Sequence, residues 1–185
     1  MSEVLCNTKF LQLKATESKR GHQWVYAHRP NADNVVVILP ETKDEVLFLI
    51  EERPPLQAEY KERYSIALPA GLVGDERKGE STEDAIKSEL LEEAGLVAEK
   101  IEVVANRVAS SAGCLSELST IAIAHIANKE QVKAPVSDGG IIVDRIWIKK
   151  SCISEWLKQK ENEGYILTGQ TLAALYYLAI RKENV

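Results

Sequence analysis

The spacing of apolar and polar positions changes along the chain, and each change marks an element. KFLQLKA (9–15) and HQWVYAHR (22–29) are short runs of alternating character, and VVVILP (35–40) is a third run that closes at Pro40. EVLFLIEERPP (45–55) follows as a strongly apolar strand ended by Pro54 and Pro55. The period then shifts to that of a helix. Ser81 or Thr82 can cap a segment running to Ala94, whose apolar stripe is Ile86, Leu90, Leu91 and Ala94, with Gly95 placed for a left-handed C-terminal residue. Strands are predicted again at KIEVVANRV (100–108), STIAIAHIA (119–127) and GGIIVDRIWI (139–148), and helices at SEWLKQKE (154–161) and 171–182. This order predicts an α/β domain in which helices cover a sheet, with residues 1–40 as a small N-terminal β element and 41–185 as the main domain.

Composition narrows the function. The 185 residues are 45% hydrophobic and 28% charged, enough for one packed domain. A formal charge of -5 offers no basic face for nucleic acid, so phosphate would be met on a small ligand. Cys6, Cys114 and Cys152 are odd in number and far apart, which fits a reducing cytoplasm rather than a disulfide framework. The start MSEVLCNTKF has no apolar leader, and TLAALYYLAI (171–180) is too short for a membrane span, so neither targeting nor anchoring is expected.

The stretch KSELLEEAGL (87–96) carries the candidate chemistry. At about 100° per residue, Glu89, Glu92 and Glu93 fall on one flank of a helix, beside its apolar stripe. Three carboxylates so close repel one another; they are either fully solvated or they hold a cation. His22, His28 and His125 show no metal-ligand spacing and read as ordinary surface or core histidines.

Around that stretch lie Leu68-Pro-Ala-Gly71, Gly74, Glu80 and then Ser88-Glu-Leu-Leu-Glu-Glu-Ala-Gly-Leu96, with five residues between Gly74 and Glu80 and seven between Glu80 and Ser88. This resembles the Nudix box, matching every position except its arginine, which is Ser88 here. Arg53-Pro-Pro55, SAGCLSEL (111–118) and GYILTGQTLAALYYL (164–178) extend the resemblance over nearly the whole chain, to the ADP-ribose pyrophosphatase and GDP-mannose hydrolase branch. The resemblance implies the Nudix fold, an α/β/α sandwich with a mixed sheet. It implies a homodimer whose N-terminal β elements help to build the partner's site. It also implies hydrolysis of the pyrophosphate of a nucleoside diphosphate sugar, such as ADP-ribose or GDP-mannose, to a nucleoside monophosphate and a sugar phosphate. Such chemistry calls for hard divalent ions, Mg2+ or in its place Mn2+, which neutralise phosphate oxygens and acidify water.

By the same resemblance Glu89, Glu92 and Glu93 are the catalytic residues and, with the backbone carbonyl of Ala70, the metal ligands. Trp24 would stack on the base, although a core aromatic is the competing reading. Arg29 would lie beside the nucleotide or be a plain surface charge. Arg53 would grip phosphate or ribose, for which its planar fork is suited. Gly113, Ser116 and Glu117 would touch the phosphates or the terminal sugar, in a segment otherwise readable as a plain turn.

The sequence departs from the family pattern at three points. Ala67 stands before Leu68-Pro-Ala-Gly71 where relatives often have a glutamate, and the loop between Gly71 and Glu80 is a few residues longer than is usual in ADP-ribose hydrolases. Ser88 stands where the family's arginine orients the glutamates. The loop PVSDGGII (135–142) has no glutamate where the family often keeps its general base, leaving Asp138 or a box glutamate such as Glu92 or Glu93 for that role. An alternative reading is therefore a catalytically impaired Nudix-fold sensor that binds ADP-ribose-like ligands.

Overall fold

One strand, β4 (Asn34–Glu41), organises the fold, because it is apolar on both faces and each face has its own cover. Val36 and Ile38 pack with Ala85, Ile86 and Leu90; Val37 and Leu39 pack on the other side with Ile153, Leu157, Ala174 and Leu178. An unbroken apolar run is what a strand between two layers requires. The computed structural model describes residues 2–32, 34–61, 64–75, 77–132 and 141–182.

β4 pairs in parallel with β9 (Leu118–His125) and antiparallel with β7 (Ala70–Val73), and it forms a hairpin with β5 (Glu45–Glu51). β5 also pairs with β6 (Ser65–Ala67) and β10 (Ile142–Lys149), β9 with β8 (Lys100–Ala109), and β6 in parallel with β11 (Ile166–Leu167). The result is a mixed eight-stranded sheet. Helix α2 (Thr82–Glu89) covers one face; α3 (Ile153–Asn162) and α4 (Gly169–Lys182) cover the other. This is the α/β/α sandwich expected from the sequence.

A separate antiparallel sheet of β1 (Glu3–Asn7), β2 (Gln12–Glu17) and β3 (Gln23–His28) precedes it. The boundary between the sheets falls between His28 and Asn34, so the run 35–40, grouped from the sequence with the N-terminal element, is a strand of the large sheet. Lys9 and Phe10 were expected in a strand, but Thr8 turns the chain there. Its hydroxyl donates to the Leu11 carbonyl (2.7 Å) and accepts the Leu11 amide (2.9 Å).

Two further elements escaped the periodicity reading. Pro54 and Pro55 end β5 as expected but also open a helix, α1 (Pro54–Tyr60), because proline at the first helical positions sacrifices no hydrogen bond and presets φ. The segment predicted as one α-helix to Ala94 is α-helical only to Glu89 and continues as a wider π turn, Leu90–Ala94, ended by Gly95 at φ 71°. Ser81 is its cap: the Asp84 amide donates to Ser81 Oγ (3.1 Å). Ile86, Leu90 and Ala94 are buried as predicted, each large side chain contributing about 2 kcal/mol, whereas Leu91 is half-buried.

At the far end of β4 the buried Glu41 is surrounded by basic side chains. Lys150 Nζ lies 2.6 Å from its Oε2, Arg181 binds its Oε1, and His125 Nδ1 stands 3.2 Å away. Arg181 and His125 also face Glu102. This cluster fastens α4 to the edge of the sheet.

Candidate active site

The three glutamates are not equally exposed: Glu93, in the π turn, is only 8% exposed, while Glu89 and Glu92 are half-buried. Glu93 is then held by β7, whose Ala70 amide donates to its Oε2 at 2.9 Å. Glu89 lies across the neighbouring Gly71, where a Cβ would stand 1.7 Å from its Oε1. That residue is glycine because the carboxylate occupies the space of a side chain.

Glu89 and Glu92 line a small cleft of about 40 Å3 with Leu72, Asp75, Glu80, Ala85 and Ser88. Glu80 also reaches back to the Gly74 amide at 3.5 Å, tying the start of the motif to its middle. Among the described residues no three imidazole, thiolate or carboxylate groups stand at metal-ligand spacing. The donor set still fits a hard divalent cation: it is all carboxylate oxygen, and glycine leaves Glu89 room to turn.

A second cavity of about 220 Å3 has Ala70, the residue whose amide holds Glu93, in its wall. Arg53 lines it, held by a bidentate pair with the buried Glu51: Nε to Oε2 is 2.7 Å and Nη2 to Oε1 is 2.8 Å. Thr168, Gln170 and Thr171, at the start of α4, form the opposite wall. Val35 joins this cavity to a third, of about 110 Å3, lined by His28, Arg29, Asn34, Ser116 and Glu117. A larger open groove at Thr42–Glu45 and Ile126–Glu130 contains none of the box glutamates.

The N-terminal sheet closes the third cavity by clasping the segment 113–116. The Ala27 amide donates to the Cys114 carbonyl (2.8 Å), and the Ser116 amide to the Ala27 carbonyl (3.0 Å). Trp24 Nε1 donates to the Gly113 carbonyl at 2.7 Å, and its ring is 51% exposed, so it is not a core aromatic. Arg29 Nε pairs with Glu117 Oε2 at 3.1 Å, and Ser116 Oγ is hydrogen-bonded to His28 Nδ1 at 2.9 Å. A chain then runs onward: Gln170 Nε2 donates to Ser110 Oγ (3.1 Å), which donates to Glu117 Oε1 (3.4 Å).

Trp24, Arg29, Gly113, Ser116 and Glu117 thus gather at one end, Arg53 stands in the middle cavity, and Ala70, in the wall of that cavity, holds Glu93. Asp138 lies outside the described residues. Periodicity gave no hint of His28, Glu51, Thr168 or Gln170 as lining residues. Glu51 had one available signal, since period two places it on the same side of an extended strand as Arg53; Gln170 had none. The three cysteines are free and exposed, and no helix among the described residues is long and apolar enough to cross a membrane.

Residues 29–149, well over half the chain, match the model of the NUDIX domain. The chain belongs to the Nudix family, whose hydrolases generally use divalent metal ions. No curated protein sequence matches it. Among solved structures it resembles one described as the crystal structure of ADP compounds hydrolase, with a TM-score of 0.72 and 17% identity over 100% of this chain and 92% of that one. At that identity the likeness concerns the fold.

Proposed function

We propose that the protein is a Mg2+-dependent hydrolase of nucleoside diphosphate sugars, ADP-ribose or GDP-mannose being the leading substrates. Water attacks one phosphorus of the pyrophosphate, the bridging P–O bond breaks, and a nucleoside monophosphate and a sugar phosphate leave. The observation that carries this reading is the position of Ala70: the residue whose amide holds Glu93 also borders the cavity containing Arg53. A pyrophosphate seated on Arg53 therefore lies next to the carboxylates. The same 17%-identical structure, of a hydrolase of ADP compounds, agrees with such a ligand.

Glu89, Glu92, Glu93 and the Ala70 carbonyl would hold the metal. When bound, such an ion supplies charge neutralisation at the phosphate oxygens and a more acidic water. Arg53 binds and orients the phosphates, its fork fixed by Glu51. Trp24 offers an exposed face to the base, and Arg29, Gly113, Ser116 and Glu117 surround the nucleotide or the sugar. Glu92 or Glu93, or Asp138, takes the proton from the attacking water. Val4, Leu5 and Leu13 on the N-terminal sheet, and Phe10 in the turn between β1 and β2, are large, apolar and exposed, which supports a homodimer through that sheet. Three free thiols suit the cytoplasm.

Ser88 favours one competing reading, a sensor that binds the same ligands without turnover. Phosphate-ester release from ADP-ribose, GDP-mannose, ADP-glucose and UDP-glucose, with and without Mg2+, separates the two. Mg2+-dependent release of nucleoside monophosphate that disappears in Glu93→Gln establishes the hydrolase. Binding without turnover establishes the sensor.

A further inference from the structure

Glu93 is gripped at two points, and only one comes from the motif that contains it. Its carboxylate accepts the Ala70 amide of β7; its main-chain carbonyl accepts Nε–H of Arg145, which reaches across from β10. The placement of Arg145 follows from strand alternation. Ile146 and Ile148 pack toward α3 and α4, so Arg145 and Trp147 project from the other face, where α2 and the π turn lie.

The carbonyl that Arg145 binds belongs to the last turn of the helical segment, where carbonyl groups lack partners within the helix and the dipole favours a cation. The Gly95 and Leu96 amides return to Leu91 and Leu90 and fasten the turn from inside. Arg145 fastens it from outside, at the residue whose carboxylate is held by β7. The guanidinium of Arg145 is cationic. Ser88 brings no charge to the same stretch.

The geometry points to Arg145 as the positioning residue of the cation site: it sets the π turn so that Glu92 and Glu93 present their carboxylates to a divalent ion. This rests on the reading of Glu89, Glu92 and Glu93 as metal ligands. A turn left free at that carbonyl would have to be ordered when the ion binds, and affinity falls by that cost. Groups that orient metal ligands typically contribute about 10- to 100-fold to affinity.

The test is Mn2+ titration of the full chain, followed by electron paramagnetic resonance of the free ion, together with the rise in Tm that Mn2+ produces. Arg145→Gln, which keeps an N–H but loses the charge and the fork, is expected to bind Mn2+ about tenfold more weakly and to lose most of that rise. Arg145→Lys, which keeps the charge on a chain of similar length, is expected to stay within about threefold of the wild type. A purely structural role would lower Tm in both variants without Mn2+ and leave affinity unmoved, which overturns the proposal. Should Arg145→Gln not fold, an Arg145→Lys protein that folds but binds as weakly as Glu93→Gln overturns it, and near-wild-type binding upholds it. Wild-type protein that binds no Mn2+ overturns this proposal and the proposed function together. Wild-type protein that binds Mn2+ without turnover, with Arg145→Gln weaker, retires the enzyme reading alone.

Discussion

The amide of Ala70 and the carboxylate of Glu93, 23 positions apart in the chain, meet at 2.9 Å, and Ala70 also lines the cavity that holds Arg53. Glu93→Gln keeps an acceptor for that amide, whereas Glu93→Ala leaves a buried N–H without one. Glu93→Ala is therefore expected to be less stable than Glu93→Gln by about 1–3 kcal/mol in urea unfolding, although both lose hydrolysis by at least about a hundredfold.

Gly71→Ala tests the packing of Glu89 on the backbone. The new methyl group would fall 1.9 Å from the Glu89 Cδ and 2.6 Å from its Cγ, so the flexible carboxylate must leave. The fold is expected to persist, with Tm within a few degrees of the wild type, while divalent-ion affinity drops about tenfold or more by calorimetric titration.

Trp24 combines an exposed ring with an N–H bonded to Gly113, and two substitutions divide these roles. Trp24→Phe retains a stacking face and is expected to raise KM only a few-fold. Trp24→Ala removes the face and is expected to raise KM about tenfold or more, since stacking on a base contributes about 1–3 kcal/mol. Steady-state kinetics in which Trp24→Ala lowers kcat and leaves KM unchanged would exclude the stacking role.

Glu41 gives the fold a pH dependence of known sign. Burial raises the pKa of its carboxyl, but the hydrogen bonds and charges of Lys150 and Arg181 outweigh it, and the pKa is lowered below its ordinary value. A carboxyl lowered on folding stabilises above its unfolded pKa, here 4.5, and that contribution is lost as pH falls through the folded value. Glu41→Gln is expected to be less stable than the wild type at pH 7, by about 3 kcal/mol, with the gap closing below pH 4.5 in denaturant titrations.

Much of this was legible because the informative signals were local. The apolar runs at β4, β5 and β9 reflect burial on both faces, and the box residues form one contiguous helical segment. What sequence reading missed depends on geometry between segments or on small changes of helical pitch. Nothing in KSELLEEAGL distinguishes an α turn from a π turn, and nothing in it shows that the Ala70 amide of β7 holds Glu93. Arg145 passed for an ordinary strand residue because its partner, the Glu93 carbonyl, is a main-chain atom 52 positions away. Pro54 and Pro55 were read as a stop, although the same missing donors make them a start.

The clasp between β3 and the segment 113–116 is made largely of main-chain atoms: the amide and carbonyl of Ala27, the carbonyls of Gly113 and Cys114, and the amide of Ser116. Such a joint does not depend on which side chains stand at 27 or 114. Those positions are free to drift over evolutionary time without unfastening β3 from the segment 113–116, so side chains around the neighbouring cavity can be exchanged within an unchanged main-chain frame.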